Sequence, residues 1–160
     1  MGNYIKEMRK MIGTQALMVA GAMVAVFNEN GEILLQQRAD IKKWGFPGGV
    51  MEYGESLEET ALRELFEETG LEAADLEFIE ILSGEKECHQ YPNGDEIFGV
   101  TAVYTTSTAG GELSINDGES TKLNYFSLNN LPSNLVEKSE YIIRKYFGDS
   151  QLINEGRKGR

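Results

Sequence analysis

The chain has 160 residues, 41% of them hydrophobic and 26% charged, with a formal net charge of −11. That length supports one domain with its own core, and the composition is ordinary for a globular protein. The acidity argues against binding nucleic acid through its phosphates, and a single cysteine, Cys88, excludes an internal disulfide framework. A lone cysteine fits a reducing, cytoplasmic setting. Residues 16–27 are apolar but too few to span a bilayer as a helix, and they lack the flanks of a signal peptide, so no membrane partner is expected.

Residues 1–14 mix charged and apolar side chains. Tyr4, Ile5, Met8, Met11 and Ile12 suggest a short amphipathic helix or arm. It would pack on the domain or on a second copy of the chain, which leaves a homodimer open. Residues 15–28, rich in Val, Ala and Met, read as a long buried strand. Asn28-Glu29-Asn30-Gly31 is a turn, residues 32–38 return as a second strand, and the pair predicts a hairpin. Residues 39–54 form a loop with four glycines and one proline. Gly48 and Gly49 within it would let the backbone approach a ligand and aim carbonyls at it; a plain tight turn is the alternative.

The next element carries the chemistry. Ser56 followed by Glu59 is a capping box that starts a helix, and Gly70 is a natural stop. Between them Leu57, Ala61, Leu62, Leu65 and Phe66 recur at helical spacing as a core-facing stripe. Glu64, Glu67 and Glu68 fall on a shared face, where like charges destabilise a bare helix. From Gly49 to Glu72 the chain has eight Glu and one Arg, a local charge of −7. With no Cys or His among them, such a cluster suits hard, oxygen-seeking Mg²⁺ or Mn²⁺. A solvated acidic face is the bland alternative, disfavoured here by the specific placing of the glycines and the arginine.

Residues 75–90 and 97–106 alternate as strands, with Tyr91-Pro92-Asn93-Gly94-Asp95 as a hairpin turn between them. Residues 108–121 are a polar, glycine-rich loop, and residues 123–127 a short strand. Leu131-Pro132-Ser133 starts a final helix running to about residue 147, with Leu135, Val136, Ile142, Ile143 and Tyr146 apolar. The expected organisation is an arm (1–14), one domain (15–147) and a flexible tail (148–160) whose basic end is too short to imply nucleic-acid binding. Trp44 and Phe46 could stack on a nucleobase, although Phe46 serves equally well as a core anchor. Arg38, Lys42 and Lys43 could meet phosphates, Arg38 best, at its strand end. Cys88 reads as a small strand residue and His89 as structural.

Gly49, Glu55, Arg63, Glu64, Leu65, Glu67, Glu68, Gly70 and Leu71 fill, without departure, the box of Nudix hydrolases: Gly, five residues, Glu, seven residues, then Arg-Glu-apolar-any-Glu-Glu-any-Gly-apolar. The lead-in Trp44-Gly45-Phe46-Pro47-Gly48 is similar as well. The chain therefore resembles that family, in particular its small MutT-like members. The resemblance implies an α/β/α sandwich around a mixed sheet and hydrolysis of a nucleoside diphosphate linked to another moiety. It implies that Glu64, Glu67 and Glu68 hold divalent metal, Mg²⁺ or Mn²⁺, with the Gly48 carbonyl. Arg63 would orient the glutamates, and Glu55 would support the loop. The base would lie in the box, as Glu64, or on a later loop. Glu119, six residues before Tyr125, where many relatives place a Trp, is the later candidate. A bare glutamate cluster repels phosphates, so strict dependence on a divalent ion is expected. The leading substrate is a (deoxy)nucleoside triphosphate or oxidised nucleotide. ADP-ribose or another nucleotide sugar is second, weakened mildly by the absence of a proline at residues 84–88. A prenyl diphosphate isomerase needs a catalytic cysteine that Cys88 is poorly placed to supply. A non-catalytic nucleotide sensor would be expected to lose box glutamates, and none is lost here.

Overall fold

A computed structural model describes residues 3–116 and 118–148. The arm forms helix α1 (Asn3–Ile12), with Tyr4, Ile5, Met8 and Ile12 packed against Leu17, Val19, Val50 and Ile97 of its own domain. Strands β1 (Leu17–Val26) and β2 (Ile33–Arg38) follow. Two short strands lie within the expected glycine loop, β3 (Trp44–Gly45) and β4 (Gly48–Val50), and they lead into α2 (Leu57–Thr69). Beyond α2 come β5 (Glu77–Leu82), β6 (Cys88–Gln90), β7 (Glu96–Thr106), β8 (Ser120–Phe126) and α3 (Glu137–Ile142), which continues as a π-helical turn through Ile143–Phe147.

The strands make two sheets. In the larger, β4, β1, β7 and β5 are neighbours in that order and β6 also pairs with β7; in the smaller the order is β3, β2, β8. Strand β1 runs parallel to β7 from Leu17↔Ile97 to Val26↔Thr106, and every other pairing is antiparallel, so the larger sheet is mixed. Alternation along β1 divides the interior. Ala22, Val24 and Val26 join Leu34, Ala61, Leu65, Ala102 and Tyr104 on the α2 side. Met23 and Ala25 join Ile33, Leu35, Phe46, Leu82, Val103, Ile142 and Ile143 on the α3 side. Each side chain class meets one helix layer because successive strand residues face opposite ways. This is the expected α/β/α sandwich.

Several local expectations change. The β1–β2 hairpin closes only at its turn, where Asn28 N–H donates to Glu32 O at 3.0 Å and Phe27 bridges Ile33. Beyond it the strands part, because β7 and β4 occupy the two edges of β1. Leu62 and Phe66 are 37% and 51% exposed, since the buried face of α2 turns to Thr60, Ala61, Leu65, Glu68 and Thr69. The strand expected over 75–90 breaks at Gly84, whose φ of +101° leads into a tight turn at Glu85–Glu87 before β6 resumes. The final helix starts later than Leu131. Residues 134–136 instead strap Trp44, which donates to Asn134 O at 2.9 Å and accepts from Val136 N–H at 2.7 Å. Strand β8 begins earlier than expected, at Ser120. The expected tail lies outside the described residues except for Gly148.

The β1–β4 contact needs glycine on both sides. A methyl group on Gly21 would stand 2.5 Å from the Gly49 carbonyl oxygen, and one on Gly48 would meet Ala22 O at 2.5 Å. Gly21→Ala should therefore push β4 from β1. The expected loss is about 2 kcal/mol, typical of overpacking, or a fall in Tm of roughly 4–8 °C in a thermal melt. Gly110→Ala, where a methyl meets nothing within 4 Å, should leave Tm within about 2 °C of the parent.

Candidate active site

The glutamate turn depends on how α2 is fixed. Ser56 Oγ accepts from Glu59 N–H at 3.1 Å, Glu59 Oε2 accepts from Ser56 N–H at 2.7 Å, and Gly70 closes the helix at φ 77°. Leu65 and Ala61 anchor one face in the core. The adjacent face then carries Glu64, Glu67 and Glu68 toward β4 and β2.

Arg63 holds the acids together. It forms an ion pair with Glu55 and donates to Glu55 Oε2 at 3.0 Å, Glu64 Oε1 at 2.9 Å, Glu67 Oε2 at 3.2 Å and the Val50 carbonyl at 2.9 Å. Glu55 also accepts from Thr60 Oγ1 at 2.8 Å and from Glu52 N–H at 3.0 Å, which ties the loop before α2 to the helix. These donors, the Arg63 guanidinium first, hold the Glu55 carboxyl down at about 2. Carboxylates in turn raise the Arg63 guanidinium above its ordinary value, Glu55 first. Glu64 goes the other way. Burial raises it, Arg63 opposes that, and Glu67 and Glu119 add to the rise. Its carboxyl lies against Gly49 so closely that any side chain there would overlap it.

Glu68 is 4% exposed. Its Oε2 accepts from Gly48 N–H at 2.8 Å and from Gln36 Nε2 at 3.0 Å. Glu119 is exposed, in the bend before β8, and its carbonyl accepts from Ala39 N–H at 2.8 Å. The structure thus brings Gly48, Gly49, Glu55, Arg63, Glu64, Glu67 and Glu68 into one cluster, with Glu119 near enough to influence Glu64. Arg38 pairs across the small sheet with Ser120, next to Glu119, and its guanidinium is bonded to Asp40 at 2.8 Å on the surface. Phe46 is not available to a base: it is buried in the core on the α3 side, and half-buried Trp44 packs edge-on against Phe126 at 5.0 Å in the same cluster. Both rings pack in the framework, Phe46 wholly and Trp44 in part.

Every donor in the cluster is a carboxylate or carbonyl oxygen, a set that fits a hard divalent cation. Among the described residues no three acidic, His or Cys side chains stand close enough to hold a metal as they are. Arg63 is bonded to Glu64 and Glu67, while Gln36 and Gly48 N–H share one oxygen of Glu68. A cation placed here would have to compete with the guanidinium for Glu64 and Glu67. Sequence reasoning missed Gln36, Thr60, Ser120 and Gly21. The one signal for Gln36 was a polar residue following Ile33, Leu34 and Leu35 on a strand otherwise built for burial.

The model of the NUDIX domain matches residues 17–146. The chain is 34% identical over 134 residues to a Bacillus subtilis protein provisionally named an 8-oxo-dGTP diphosphatase, a match covering 84% of this chain and 83% of that one. It is 33% identical over 130 residues to the ADP-ribose pyrophosphatase of Methanocaldococcus jannaschii, covering 79% and 72% respectively. In fold it is similar to the MutT NUDIX hydrolase from Burkholderia pseudomallei, with a TM-score of 0.70 at 24% identity, over 81% of this chain and 98% of that one.

The Glu55–Arg63 pair sets an acid limit. The folded carboxyl lies at about 2 against an ordinary 4.5, so unfolding takes up a proton between those values. Its stabilisation is complete above pH 4.5 and disappears as pH falls through about 2. Glu55→Gln should cost about 1–2 kcal/mol at neutral pH, allowing for solvent screening. It should also flatten the acid limb of stability measured by urea unfolding between pH 5 and 2. Parallel acid limbs in parent and variant would contradict this assignment.

Proposed function

The chain belongs to the NUDIX family and is a hydrolase acting on phosphoric anhydrides, and from that premise we propose that it cleaves a (deoxy)nucleoside triphosphate or its oxidised form. The observation that supports this most is the bond between the two halves of the motif. Glu68 of the acidic turn accepts from Gly48 N–H at 2.8 Å, and Glu64 lies against Gly49. The glycine backbone and the carboxylates therefore face one small volume. Identity to the Bacillus protein over most of both chains favours the triphosphate substrate. The ADP-ribose pyrophosphatase relative makes ADP-ribose the second candidate.

The family generally needs a divalent metal. Here Glu64, Glu67, Glu68 and the Gly48 carbonyl would hold Mg²⁺, with Mn²⁺ as a substitute. When bound, the ion supplies Lewis acidity that neutralises diphosphate oxygens and lowers the pKa of a water. The remaining work falls to the chain. Arg63 keeps Glu64 and Glu67 on the side of Gly49. Glu119 takes the proton of the attacking water, and Glu64, committed to Arg63 and the cation, is the less suitable base. Arg38, beside Glu119, offers a guanidinium to the outer phosphates once it leaves Asp40. The acidic cluster repels free nucleotide, so substrate follows the cation.

Glu68→Gln should lower Mg²⁺-dependent diphosphate release from a nucleotide panel at least about 100-fold, roughly 2.7 kcal/mol of barrier. Full activity in that variant ends the reading. Glu119→Gln should lose more than about tenfold in kcat, roughly 1.4 kcal/mol, with a smaller change in KM. A panel containing triphosphates, an oxidised triphosphate and ADP-ribose, read by product mass, decides the substrate. Preference for ADP-ribose would replace the first choice with the second.

A further inference from the structure

Strand β2 places a glutamine where packing alone asks for a hydrocarbon. Leu34 and Gln36 share the strand face that meets α2; Leu34 lies fully in the core, and Gln36 is 5% exposed. A buried amide costs free energy unless both ends are bonded. Both ends are bonded here: Ser120 Oγ donates to Gln36 Oε1 at 2.9 Å, and Gln36 Nε2 donates to Glu68 Oε2 at 3.0 Å. Ser120 is itself 5% exposed. The order of these bonds matters. An amide has a donor end and an acceptor end, and a turned Gln36 would set its carbonyl oxygen against a carboxylate. The Glu68 carboxylate, which only accepts, selects the NH₂ end, and the Ser120 hydroxyl, buried beside the carbonyl end, donates to it and holds the amide in place.

We propose that Gln36 and Ser120 are positioning residues that aim Glu68 at the cation, an inference that rests on the metal-binding role proposed for α2. Gly48 N–H and Gln36 Nε2 grip the same oxygen of Glu68 from β4 and from β2. The carboxylate is thereby fixed between both sheets. Ser120 directly follows Glu119, so the same three-residue relay ties the segment of the proposed base to the acidic turn. Groups that orient a ligand in this way typically change metal affinity by 10–100-fold when removed.

The test uses the full chain and Mn²⁺ alone, with affinity read by electron paramagnetic resonance or calorimetry and folding followed by thermal melt. Gln36→Leu should weaken Mn²⁺ binding about tenfold or more and lower kcat with little change in KM. Ser120→Ala, which removes one oxygen and leaves packing almost intact, should weaken it about threefold. Glu68→Gln is the control. If Glu68→Gln loses Mn²⁺ and both relay variants bind like the parent, the relay is overturned and the role of α2 survives. If Glu68→Gln also binds like the parent, the role of α2 fails and the relay with it. Should Gln36→Leu not fold, Ser120→Ala decides alone, and unchanged affinity there overturns the proposal.

Discussion

Confining several glutamates to one helical turn is an electrostatic problem, and the Arg63 guanidinium is its solution. A planar cation with five donors in a fixed fork can serve several carboxylates in set directions, where a lysine offers three rotatable donors on one point charge. Here it reaches Glu55, Glu64, Glu67 and a strand carbonyl together. Loop, helix and β4 are cross-linked through that one group. Without it the like charges on α2 would repel each other and the helix would keep only its Glu68 bond to the glycine strand and its core contacts. With it, the acids stay together, and a cation placed among them would have to compete with the arginine.

The parts of this arrangement visible in the amino-acid order were those with local causes. Ser56 and Glu59 cap a helix by contacts three residues apart, and Gly70 ends it by its own left-handed backbone. The spacing of Arg63, Glu64, Glu67 and Glu68 places them on neighbouring faces whatever surrounds them. The strands that alternate or run apolar were visible for the same reason. Where the reading failed, the deciding contact came from far along the chain. Strand β2 left β1 because β4 and β7 took both its edges. Residues 134–136 stayed extended because Trp44 offered them hydrogen bonds. Leu62 and Phe66 lost their place in the core in part to Glu68, whose partners Gln36 and Gly48 lie on two strands.

Glycine shows the limit of residue-type arguments in another way. The natural reading of Gly48-Gly49 was freedom of backbone angle. Neither residue has a positive φ. Both are there for want of a side chain, Gly48 against Ala22 and Met23, Gly49 against the Glu64 carboxyl. Gly21 fills the same need from the other strand, and nothing in its own neighbourhood distinguishes it from any glycine in an apolar run. Gln36 and Ser120 were hidden similarly, since a polar side chain on a strand shows its purpose only when its partners are known.

The division of β1 between two interiors has a thermodynamic meaning of its own. From Ala22 to Val26 its even-numbered residues serve the α2 layer and its odd-numbered ones the α3 layer, so each layer depends on the same central strand. Loss of order should therefore propagate through the whole molecule as one cooperative event. The acidic helix and the strands it leans on should then be gained and lost together.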